Sequence, residues 1–185
     1  HLLPTRTSSD LAAFFEKITS DSLTYLNEDS AGSFTINEYY TIKDIWKKGD
    51  INKKLSFSCY VINSMLTAPA DKNRNMPFYL VYPAHFKENL EITLPEMWSL
   101  DNENKEISSP AFRFSARSTS LGKTVFMNYE YEALKYHVMP AEAPEYFASY
   151  KEADDVTGYF LSKVNDSQNE TVMRSENRET GIGLI

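Results

Sequence analysis

With 185 residues, 42% of them hydrophobic and 24% charged, and only six Gly, the chain has the length of one domain and a make-up that excludes the fibrous and disordered classes. A formal net charge of -7 argues against nucleic acid as a partner, because that affinity rests on Lys and Arg displacing phosphate counterions. The single cysteine, Cys59, excludes an intramolecular disulfide and a cysteine-based zinc site, and no run approaches the roughly 18 consecutive apolar residues of a membrane span.

In chain order, Ser8-Ser9-Asp10 offers N-cap oxygens to a helix through Leu11, Phe14, Phe15, Ile18 and Leu23. Residues 1–30 read as this helix and its lead-in. From Phe34 to Trp46 the pattern turns to period two, with Phe34, Ile36, Tyr40 and Ile42 on one parity, which predicts a long strand with one wet face. Glu38 interrupts the apolar parity and marks a candidate bulge. Lys43, Lys47, Lys48, Lys53 and Lys54, broken by Asp44 and Asp50, read as a solvated hairpin end. Leu55, Phe57, Cys59 and Val61 share the inner face of a second strand. Shorter strands follow at 78–82, 90–94 and 112–116, and the longest at 124–138, with Val125, Met127, Tyr129, Tyr131 and Ala133 inward and Asn128, Glu130 and Glu132 outward. Residues 141–154, with Pro144 near the first turn, predict a helix. A last strand spans 159–164, and 165–185 read as a polar tail or linker. The expected fold is mainly β, an antiparallel sandwich of seven or eight strands over 31–164 with a short helix at each end.

No constellation in this pattern announces catalysis. Cys59 lies mid-strand on an apolar parity, where burial raises a thiol pKa, whereas a nucleophilic thiolate needs an imidazolium or a helix N-terminus. G-x-S-x-G elbows and glycine-rich phosphate loops are missing from the sequence, and His1, His85 and His137 have no ligand spacing. Neither a metal nor a cofactor is expected. The carboxylate pairs Glu130 with Glu132 and Asp154 with Asp155 suit a wet surface better than a glycosidase site. The residues singled out for binding are Trp46 and Trp98, whose flat faces suit a sugar or peptide, and Arg74, a carboxylate clamp in a polar loop. For each, a lid on the core or a solvated side chain is the competing explanation.

The order of landmarks adds a context. Gly32-Ser-Phe-Thr-Ile-Asn-Glu-Tyr-Tyr-Thr-Ile-Lys-Asp-Ile-Trp46, then Arg74-Asn-Met-Pro-Phe-Tyr-Leu-Val-Tyr-Pro83, Leu90-Glu-Ile-Thr-Leu-Pro95 with Trp98, Pro110-Ala-Phe-Arg-Phe114 and Asn128-Tyr-Glu-Tyr131 resembles the C-terminal β-sandwich domain of bacterial transglutaminase-like proteins. The ending through Tyr159-Phe-Leu161 fits as well. That resemblance implies a non-catalytic accessory domain beside a transglutaminase-like catalytic core, in the periplasm or cell envelope, with an envelope protein or carbohydrate as a further partner. No position here matches that family's catalytic cysteine motif. An independent carbohydrate- or peptide-binding module is the alternative. The chain opens on His1 rather than Met and closes on an apolar run, and it reads as a piece of a longer protein.

Overall fold

Alternating polar and apolar residues, rich in Tyr, Phe, Val, Ile and Thr, give this chain strands, and pairing joins them antiparallel throughout. The computed structural model describes residues 15, 17–28, 32–46, 52–71, 74–98, 100, 102–166 and 169–173. Contacts divide the chain into two units, 1–50 and 51–185.

The first unit contains a hairpin of β1 (Ile18–Glu28) and β2 (Ser33–Ile42), in register from Ile18 opposite Ile42 to Glu28 opposite Ser33. Ile18 and Leu23 therefore lie on a strand, not on the expected helix, and the expected boundary near residue 30 falls between two paired strands. Local β-formers and cross-strand pairs outweigh the helical spacing: Tyr25 stacks on Phe34 at 6.3 Å, and the Thr41 hydroxyl donates to Asp21 at 2.6 Å. Helix positions 8–14 lie outside the described residues. The register slips in β1 between Ser20 and Ser22, not at Glu38. Glu38 instead accepts a hydrogen bond from the Tyr40 hydroxyl at 3.0 Å, which accommodates a charge on the apolar parity.

The second unit is built on three sheets. A four-stranded sheet has the order β5 (His85–Thr93), β8 (Thr124–Ala133), β7 (Phe112–Leu121), β6 (Glu103–Ser108). A three-stranded sheet places β10 (Gly158–Asp166) between β3 (Asn52–Ser58) and β11 (Asn169–Met173), and a short ribbon pairs β4 (Phe78–Tyr79) with β9 (His137–Val138). Helix α1 (Tyr60–Met65) follows β3, and α2 (Ala143–Val156), with Pro144 in its first turn, precedes β10. Gly122, at φ +61°, starts the two-residue turn that joins β7 to β8, where a left-handed residue matches the strand twist.

Eleven strands among the described residues exceed the seven or eight expected, for identifiable reasons. β1 was expected to be helical, β6 carries too many charged residues to show an apolar parity, and β11 lies in the expected tail, where Asn169–Met173 pairs with Ser162–Asp166. The expected strand 124–138 breaks in two because the Leu134 amide turns to the Ala111 carbonyl, and the chain then pairs with β4. The second expected strand stops at Ser58. There the Glu88 carboxylate of β5 accepts the amides of Tyr60, Val61 and Ile62 at 2.9, 3.0 and 3.2 Å, winding the next residues into α1.

The inner parity of β8, including Val125, Met127, Tyr129 and Tyr131, is buried as expected, and Phe112 and Phe114 of β7 are buried with it. Tyr146 of α2 joins it, edge-on to Phe112 at 5.5 Å and to Phe78 at 5.0 Å, and its hydroxyl donates to the Thr67 carbonyl at 2.5 Å. Edge-to-face contacts of this kind add about 0.5–1.5 kcal/mol each beyond burial. The cluster thus ties the four-stranded sheet, α2 and the ribbon into one core.

Candidate docking surface

The β4–β9 ribbon is where apolar character passes from core to surface. Phe78 lies opposite Val138 and Tyr79 opposite His137, and the Leu80 amide donates to the Tyr136 carbonyl at 2.8 Å. Successive side chains of a strand point to opposite faces. Phe78, Leu80 and Val138 are accordingly buried, while Tyr79 and Val81 face out at 76% and 46% exposure. A ribbon with one solvated face normally carries polar groups there. This one carries His137 opposite Tyr79 but is otherwise rich in apolar groups: of eight exposed large hydrophobic residues described in the second unit, six are Met76, Tyr79, Val81, Tyr82, Tyr136 and Met139. The rings of Tyr79 and Tyr136 lie 6.2 Å apart and inclined by 22°, and Tyr136 meets His137 edge-on at 4.3 Å. Apolar side chains scattered singly need no explanation, whereas a contiguous patch marks an interaction site.

Polar groups frame the patch. The Lys135 ammonium donates to Glu142 at 2.5 Å and the Met139 amide does so at 3.0 Å, which together hold the Glu142 carboxyl below the usual carboxylate range. Arg74 holds its guanidinium 5.8 Å from the centroid of the Phe78 ring. The Arg74 Nε and the His137 Nδ1 are buried with no hydrogen-bond partner.

The other sequence candidates lie elsewhere. Trp46, in the first unit, is half-buried in a bend beyond β2. Trp98 is 3% exposed, and its indole N–H donates to Glu96 at 3.3 Å, the same oxygen that Lys53 reaches at 2.8 Å. Its faces are packed in the core, so the lid explanation describes it. Of the three, Arg74 lies nearest the ribbon, over the ring of the buried Phe78. Cys59 is fully buried, its thiol donates to the Thr157 carbonyl at 3.3 Å, and burial pushes its pKa well above the ordinary thiol value. It is thus a thiol at neutral pH. His85 contacts Glu130 at 2.6 Å on the outer sheet face, and Lys87 shares that carboxylate at 3.2 Å. Beside them, Lys87, Asn89, Ser115, Arg117, Asn128 and Glu130 line an open recess of about 160 Å³. Among the described residues no group of three or more His, Cys, Asp or Glu is placed to hold a metal ion, and no helix is long and apolar enough to cross a membrane.

Sequence reasoning missed Tyr79, Tyr136 and Met139 because it looked for tryptophans at strand ends. The signal was present in Met76-Pro-Phe-Tyr-Leu-Val-Tyr-Pro83, a short run apolar on both parities, which no half-solvated strand requires. A family model for a Domain of Unknown Function, DUF3858, matches residues 53–174. No curated protein and no solved structure matches the chain.

Proposed function

Since the chain belongs to the DUF3858 family, a family of domains of unknown function, we propose that it is a non-catalytic accessory domain that docks on a transglutaminase-like catalytic core, in the periplasm or cell envelope. The observation that carries this reading is the outward apolar face of the β4–β9 ribbon, with Tyr79 76% and Tyr136 54% exposed. Solvated, that face has no stabilising role, and covered by a partner it supplies the aromatic and thioether side chains in which interface centres are enriched. The sequence landmarks from Trp46 to Leu161 support the identity of the partner. The non-catalytic role is supported by the Cys59 thiol, which is sealed in the core and held against a carbonyl. The domain on this reading acts by positioning the core or shaping access to it.

The test is made on the intact polypeptide, with photoreactive p-benzoylphenylalanine in place of Tyr82. Cross-links into a transglutaminase-like segment of the same polypeptide are the expected result. A parent protein that carries no such segment sinks the reading.

A further inference from the structure

We propose that the outer face of the four-stranded sheet binds a neutral oligosaccharide, laid across the strands along the row Asn89, Asn128, Arg117, Asn104. Pairing sets these residues opposite one another on β5, β8, β7 and β6, one per strand, and all four are exposed. With neighbouring strands about 4.8 Å apart, the row extends over about 14 Å. Strands are depleted in asparagine, so three in register within one sheet are not explained by strand formation. The open recess of about 160 Å³ lies on this row: Asn89, Arg117 and Asn128 line it, together with Lys87, Ser115 and Glu130 of the adjacent row. The site shares no residue with the β4–β9 ribbon and does not depend on what the ribbon meets.

Charge selects the class of ligand. On this face Arg113 pairs with Glu132 at 3.3 Å, Arg117 with Glu106 at 3.3 Å and Lys87 with Glu130 at 3.2 Å. Each of these cations is matched by a carboxylate, so an anionic ligand meets repulsion from the glutamates and a cationic one from their partners. The carboxamides of Asn89 and Asn128 and the Ser115 hydroxyl take part in none of these pairs. Arg117 Nε donates to Asn104 Oδ1 at 3.0 Å, a bond that uses the Asn104 oxygen and not its NH2 group. Carboxamides and hydroxyls both donate and accept, which is what the hydroxyls of a sugar require. Two residues before Asn128 on the same face, the half-buried Phe126 lies opposite Glu91 and Thr119. An aromatic ring with a few convergent polar groups is the usual make-up of a small-ligand site, and the ring serves the carbon–hydrogen face of a pyranose. An extended peptide instead adds to a sheet edge through its backbone. A protein interface is centred on clustered apolar anchors, which the rows of Asn128 and Glu130 do not supply.

The test titrates the intact chain with neutral oligosaccharides of glucose, mannose, galactose and N-acetylglucosamine, and with a sulfated oligosaccharide as the anionic control. Binding is followed by the side-chain amide NMR signals of Asn89, Asn104 and Asn128 and by the ring signals of Tyr79 and Tyr136. At least one neutral oligosaccharide is expected to shift all three amide signals at millimolar concentration or below. Asn128→Ala weakens that binding by about tenfold, the scale of one or two hydrogen bonds. The Asn128 side chain is exposed, so the urea midpoint stays unchanged and the loss is one of binding. Phe126→Leu, which keeps an apolar side chain and removes the ring, weakens binding as well. Silence of the three amide signals with every neutral oligosaccharide overturns the proposal, as does full binding by Asn128→Ala. Tighter binding of the sulfated control than of any neutral sugar overturns the choice of a neutral ligand, and shifts confined to the Tyr79 and Tyr136 rings overturn the placement on this face.

Discussion

Cys59 shows how far one side chain's surroundings decide its chemistry. As a lone cysteine it invites a catalytic reading, yet it is fully buried, donates to the Thr157 carbonyl, and its pKa is raised first by burial and then by the negative charge of Glu88. A thiol so placed reacts only when the core opens, at a rate set by the opening free energy. Alkylation of Cys59 is therefore expected to be slow in the native protein at neutral pH and fast in denaturant. Rapid native labelling with a midpoint below about pH 7 would indicate an activated thiolate and would remove the support this residue lends to a non-catalytic role. The parity of Cys59 made its burial legible in the sequence. Trp98 was less legible, because a Trp at a strand end reads equally well as lid or ligand platform, and only its 3% exposure decides.

At the scale of elements, α1 depends on a distant residue. Its segment, Tyr60-Val-Ile-Asn-Ser-Met65, contains two β-branched side chains and offers no side-chain cap of its own. The Glu88 carboxylate substitutes for that cap by accepting three backbone amides. Glu88→Gln keeps one acceptor oxygen and loses the charge, and is expected to destabilise the domain by about 1–3 kcal/mol, read as a lower urea midpoint. An unchanged midpoint would show that α1 is held by packing alone. This dependence also explains the limits of sequence reading here. The faces of β8 were legible because period two is a local property, written in consecutive residues such as Val125 to Ala133. α1 was not, since its cap arrives from another strand. The exposed apolar face proposed for docking was half legible: the doubly apolar run 76–83 stands in the sequence, but the pairing that brings Tyr136 to it is made only by the fold.

For the whole molecule, the buried tyrosines set an alkaline limit. Burial pushes Tyr131 up to about 12 and raises Tyr129 and Tyr146 further above the ordinary value. A folded-state pKa raised above its unfolded value gives stability that is complete below the unfolded pKa, about 10 for Tyr, and is lost as pH rises towards the folded one. Unfolding is thus expected to set in above about pH 10, with the absorbance of these tyrosinates appearing together with the loss of structure. Tyrosinate absorbance that rises fully while structure persists would contradict the role given to the Phe112–Tyr131–Tyr146 cluster. The division of the chain between Asp50 and Ile51 has a separate consequence. Family similarity begins at Lys53 and runs to residue 174, so the whole of the matched segment lies within the second contact unit, and a chain cut between the units is expected to keep every contact that the match spans.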